Sequence, residues 1–116
     1  MPDLISRADS QMVWVPHPRF PGVRFSWLME KARGEAPFDC ALVRMSPAAE
    51  VFEHVHETES DVLYVLSGAA VMSVAGVGDI PLRRGAFLRI PPGVAHRPHS
   101  FTDDFTLFNF WPATPA

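Results

Sequence analysis

The sequence predicts an all-β protein, an antiparallel sandwich or barrel, and three observations carry that prediction. Twelve prolines and seven glycines are scattered over all 116 residues, which leaves little room for a long uninterrupted helix. Short runs rich in β-branched and aromatic residues recur along the chain. Turn-forming clusters such as SPAA, LSG, GVGD, RRG and PPG separate those runs.

Taken in order, the first runs are Met12–Val15 and Val23–Met29, with VPHPRFPG between them. Prolines at 16, 18 and 21 break the strand pattern there, so residues 1–37 are expected to form an N-terminal arm. Trp14, Phe20, Phe25 and Trp27 are too many aromatics to leave in water. The arm should therefore pack on the barrel or on a partner subunit, or simply within its own chain. Residues 38–116 are expected to form the barrel, through Phe38–Met45, Val51–His56, Val62–Leu66, Ala70–Val74, Phe87–Ile90, Val94–His96 and Phe105–Trp111. A chain of this length supports one hydrophobic core and not two, hence a single domain overall. The terminal PATPA is expected to fray.

Composition excludes several classes of function. Hydrophobic residues make up 47% and charged residues 20%, as in a globular protein with a packed core. The formal charge is -3 and Arg83-Arg84 is the only adjacent basic pair, so no footprint for nucleic acid is present. The single Cys40 cannot form an intrachain disulfide and reads as a small core residue. No apolar run approaches the length of about 18 residues that a membrane span needs, and the N-terminus lacks a signal-like pattern. A soluble, cytoplasmic protein without membrane or nucleic-acid partners is the expectation.

The chemistry concentrates in HVHETESDVLYVLSG, residues 54–68. Side chains alternate faces along a strand, so His54 and His56 project the same way and can share one ion. An HxH pair alone is weak evidence, because such pairs arise by chance. Glu57, Glu59 and Asp61 follow within reach; the two glutamates read as solvated loop residues. Asp61 opens a strand and shares a face with Leu63 and Val65, pointing inward if that face lines the barrel. A further donor comes from GAFLRIPPGVAHRPHS, residues 85–100, where Pro91-Pro92-Gly93 makes a tight corner before His96. His96 is the expected ligand, and His99, on the opposite face, the expected rim residue.

These two stretches resemble the paired motifs of the cupin superfamily, specifically its small single-domain members. The first motif (G, five residues, HxH, three or four residues, E, six residues, G) falls on Ala48, His54, His56, Asp61 and Gly68. The second (G, five residues, PxG, two residues, H, three residues, N) falls on Gly85, Pro91, Gly93, His96 and Ser100. Ala48 and Ser100 replace turn-shaping glycine and asparagine. Asp61 replaces glutamate and is one methylene shorter, so direct coordination needs a small backbone shift or a water bridge. The resemblance implies a double-stranded β-helix, the jelly-roll barrel, with His54, His56, Asp61 and His96 as ligands of a divalent iron, nickel, zinc or manganese ion. It also implies a homodimer, from the family's habit of pairing.

Three nitrogens and one carboxylate around a divalent ion carry a net charge of +1 and favour anionic oxygen ligands. The expected function is a metal-dependent enzyme, most simply an iron(II) dioxygenase of a small enolisable or aromatic compound. The alternatives are a non-redox isomerase or lyase of a sugar-derived acid, and a non-catalytic binding module for a metal or small ligand. Phe52, Leu63, Val65 and Phe108, or Trp111 in another register, are the expected walls of a small apolar pocket. Arg44 and Arg89 could orient a carboxylate only if they pointed inward, and both read as solvated.

Overall fold

The computed structural model describes residues 4–113. Nine strands follow one another: β1 (Val15–Pro16), β2 (Val23–Met29), β3 (Asp39–Met45), β4 (Asp61–Ser67), β5 (Ala69–Val74), β6 (Gly78–Arg83), β7 (Phe87–Ile90), β8 (His96–His99) and β9 (Thr106–Trp111). Single turns of 3-10 helix at Asp9–Gln11 and Lys31–Arg33 are the helical elements among the described residues. The strands form a six-stranded sheet, in the order β1-β2-β3-β9-β4-β7, and a three-stranded sheet, in the order β6-β5-β8. Every pairing is antiparallel. The all-β jelly-roll expectation is met.

Alternation explains which side chains lie inside. Leu63 stands beside Asn109, which stands beside Ala41, and Val65, Leu107 and Val43 form the next row. All six are buried. From the small sheet, Ala70, Met72, Val74 and Leu82 are buried in the same core, with Ile90 of β7, Phe101 and Phe105. Burying each large apolar side chain contributes roughly 1.5–3 kcal/mol. Cys40 is buried, and burial raises its thiol pKa, in keeping with a core role.

The segment expected as an arm contributes a strand to the large sheet. β2 lies within the large sheet, paired with β1 on one side and β3 on the other, and Phe20 and Val23 belong to the core. The prolines at 16, 18 and 21 shape only the turn between β1 and β2. Met12–Val15 contributes little beyond Val15 to β1. Pro112 and Ala113 of the tail are held, Pro112 by the Ser60 amide and Ala113 by a bridge to Glu59; residues 114–116 lie outside the described residues.

Two strand expectations needed correction. β6 lies between the signals GVGD and RRG, and Pro81 within it masked it. It is an edge strand of the small sheet, where a missing N–H is tolerated. Conversely, Val51–His56 is not a ladder strand but meets β8 through a single bridge, His54 opposite His96.

Candidate metal centre

That single bridge positions the first pair of imidazoles. The His54 amide donates to the His96 carbonyl at 3.0 Å, and the His96 amide returns a bond at 2.9 Å. Gly93, at φ 81, donates its N–H to the His56 carbonyl at 2.8 Å. The Pro91-Pro92-Gly93 corner therefore clamps the HxH segment directly. Period two persists without a ladder: His54 and His56 are half-buried, while Glu53 and Val55 between and beside them are exposed.

Asp61 comes from the other sheet. It opens β4, is buried, and presents Oδ2 at 3.0 Å from His96 Nε2 and 3.5 Å from His56 Nε2. Its Oδ1 accepts from Asn109 Nδ2 at 2.7 Å, and the same amide also donates to the Val62 carbonyl at 2.8 Å. Asn109 thus fixes the carboxylate and leaves Oδ2 facing the histidines. Sequence reasoning missed this residue; its sole signal is a polar residue at an inward position of a hydrophobic strand.

The four donor atoms of His54, His56, Asp61 and His96 all lie within 4.8 Å of one another. Two donors bound about 2.1 Å from one metal, at a right angle, stand about 3 Å apart. The separation of His96 Nε2 from Asp61 Oδ2 matches that spacing, so the shorter aspartate reaches the cluster.

Tautomers point the same way. His54 Nδ1 donates to the Phe52 carbonyl at 2.8 Å, and His96 Nδ1 to the Val94 carbonyl at 2.9 Å. A carbonyl only accepts, so both Nδ1 atoms carry protons and a neutral ring turns its Nε2 lone pair toward the cluster. His56 Nε2 is buried and has no hydrogen-bond partner, a costly state for a polar atom unless something else satisfies it. The donor set fits a divalent transition ion.

Electrostatics agree with a site built for positive charge. Burial opposes ionisation of Asp61, but the neighbouring His56 and His96 imidazoles and the Asn109 amide hold its carboxyl well below the usual carboxylate range. Burial likewise pushes His96 down, yet the hydrogen bond to Asp61 and the Val94 carbonyl carry it above the ordinary histidine value. His54, mainly desolvated by burial, is lowered. The 3.0 Å gap between His96 Nε2 and Asp61 Oδ2 has room for a proton or a cation.

A cavity of about 100 Å³ opens beside the cluster. It is lined by all four residues and by apolar side chains including Phe20, Leu63, Met72, Leu107 and Trp111. Of the four expected walls, Leu63 alone lines it. Val65 faces inward but is wholly buried in the core, while Phe52 is 63% exposed. Phe108 alternates with inward Leu107 and Asn109 and stands beside Tyr64 on the outer face. The register brings Trp111 to the cavity instead.

Other candidates lie elsewhere. His99 sits on the far face of β8, where its Nε2 meets Ser73 Oγ at 2.8 Å, and that hydroxyl donates to Asp79. Arg44 and Arg89 are exposed, Arg44 stacking on Trp14 at 4.1 Å. Glu57 is exposed, and Glu59 pairs with Lys31. No helix of the described residues is long and apolar enough to cross a membrane.

No curated protein matches the chain in sequence. Among solved structures, it is similar to KdgF from Halomonas sp. (17% identity, TM-score 0.77, 93% of this chain and 94% of that one). A predicted oxalate decarboxylase from Thermotoga maritima is similar over 97% of this chain and 100% of its own (19% identity, TM-score 0.77). The polyketide cyclase RemF from Streptomyces resistomycificus matches over 96% and 81% (18% identity, TM-score 0.77). At such identities these likenesses speak for the fold. The family model described as Cupin domain matches residues 41–108, more than half the chain and all of both motifs, and the protein accordingly belongs to the cupin family.

Proposed function

We propose that this cupin is a metal-dependent enzyme in which His54, His56, Asp61 and His96 hold one divalent transition ion, and that iron(II) makes it a dioxygenase of a small enolisable or aromatic compound. One observation carries the reading: the buried Nε2 of His56 has no partner while it faces a carboxylate oxygen that His96 Nε2 also faces. When bound, the ion supplies Lewis-acid polarisation of an enol or carboxylate and, as iron(II), redox chemistry with dioxygen.

The chain's own residues prepare that chemistry. Asn109 orients Asp61 through Oδ1, and the backbone carbonyls of Phe52 and Val94 keep both Nδ1 protons away from the cluster. Phe20, Leu63, Met72, Leu107 and Trp111 exclude water and offer apolar contact to a flat or short guest. RemF, named a polyketide cyclase, is compatible with an enolisable guest in such a barrel. The outer face carries exposed Tyr64, Leu66 and Phe87, which supports a homodimer, checked by sedimentation.

Metal analysis of untagged protein, followed by oxygen-consumption assays, tests the reading. Stoichiometric iron, with oxygen uptake abolished by chelation and restored by iron(II), supports it. Tightly held zinc, nickel or manganese without oxygen uptake rejects dioxygenation in favour of isomerase or lyase chemistry. No metal after reconstitution rejects both.

A further inference from the structure

The cavity has a second polar end that the metal cluster does not explain. His17 and Arg19, from the turn between β1 and β2, line it together with the four cluster residues. The His17 ring stacks on Phe20 at 4.4 Å, and Phe20 packs against His54 at 5.4 Å. The Arg19 guanidinium lies over the same Phe20 ring at 5.5 Å. Phe20 thus separates the histidine cluster from a cationic and hydrogen-bonding rim.

The protonation of His17 follows from its partners. Its Nδ1 accepts from the Arg19 amide at 3.0 Å and the Phe20 amide at 3.1 Å. An acceptor nitrogen carries no proton, so the proton of the neutral ring sits on Nε2 and is available as a donor. Arg19 is exposed and forms no ion pair with a carboxylate of the described residues. Asp61 is the one acidic side chain lining the cavity, and it is committed to Asn109 and the histidines.

We propose that His17 and Arg19 form an anion subsite, so that the cavity takes a short carboxylic acid whose carboxylate is held at this rim while its apolar body lies against Phe20. Arg19 supplies the charge and a planar fork of donors, and the His17 Nε2–H adds a directional bond. The cavity of about 100 Å³ is well below the roughly 300–1,000 Å³ of drug-sized ligand pockets, which limits the guest to a small acid. This names the substrate class of the site proposed above and rests on that reading only where the acid is also turned over.

The test is calorimetric titration of acids against their uncharged amides: pyruvate and pyruvamide, benzoate and benzamide, salicylate and salicylamide, on metal-loaded and metal-free protein. At least one acid is expected to bind tenfold or more tighter than its amide. Arg19→Gln should erase that preference, and His17→Asn, whose Oδ1 can still accept the two turn amides, should weaken the acid several-fold. Arg89→Gln, an exposed arginine away from the cavity, should retain it, which excludes a general charge effect. No preference for any acid in the wild type, or one that survives Arg19→Gln, overturns the subsite. Full metal uptake without acid preference sinks the subsite alone. An Arg19-dependent preference in protein that takes up no metal upholds the subsite while the metal reading fails.

Discussion

His96 Nε2 lies 3.0 Å from Asp61 Oδ2, joining the small sheet to the large one inside the barrel. Both atoms are buried, and the contact is stable only with a proton or a cation between them, since the Nδ1 proton of His96 is already given to Val94. Burying such a pair costs several kcal/mol per ion unless it is well hydrogen-bonded. Asn109 supplies the additional bond.

In the metal-free protein, His96 should titrate above 6.5 and His54 below it, as the raised and lowered pKa directions require. The His96 contribution to stability is full below 6.5 and is lost as pH rises through its folded pKa. His54 acts oppositely, costing stability as pH falls below 6.5, and Asp61 stabilises above the ordinary carboxylate value of 3.8 and loses that contribution on further acidification. Imidazole NMR titrations check the order. Metal loading should remove the His96 titration from this window.

Replacing His54 or His96 by alanine should reduce metal occupancy at least tenfold, whereas His99→Ala should leave it near wild type. His99 bonds Ser73 on the opposite face of β8 and reaches nothing in the cluster. Elemental analysis of the three variants decides the matter, and equal loss from His99→Ala would sink the ligand assignment.

Asn109→Ala leaves a buried carboxylate oxygen and the Val62 carbonyl without their donor. A loss of about 1.5–3 kcal/mol in urea unfolding is expected for a bond to a charged group. Metal affinity should fall about 10–100-fold, as for other residues that orient ligands.

Ser100 is the only non-glycine of the described residues at positive φ, at 60°, and it stands at the motif's asparagine position. Asparagine tolerates this region better, so Ser100→Asn should raise stability. Ala48, the other turn departure, has no such φ and should gain nothing from Ala48→Gly. Thermal unfolding separates the two.

A Cβ at Gly68, φ 78, would stand 2.6 Å from Thr102 Oγ1 and 2.7 Å from Phe105 Cα, whereas Gly76 has the same φ and open space. Gly76→Ala should cost about 1–2 kcal/mol for the left-handed backbone. Gly68→Ala should cost clearly more, because backbone must move; equal midpoints in denaturant would contradict the packing.

Much of this was legible from local pattern. Period two in DVLYVLS and TLFNFW announces half-buried strands, and motif spacing brought His54, His56, Asp61 and His96 forward as one set. Such features are local because alternation and turn chemistry act over a few residues. Local pattern could not tell that β6 tolerates Pro81 at a sheet edge, that Val51–His56 is held by one bridge and the Gly93 amide, or that residues 15–29 complete the large sheet. Nor could it choose Trp111 over Phe108, since that depends on the register of β9 against β3 and β4. Asn109 beneath Asp61, and His17 and Arg19 at the cavity rim, are joined by contacts spanning dozens of residues. Only the closed barrel brings them together, because each is decided by which faces meet and not by the order of residues along the chain.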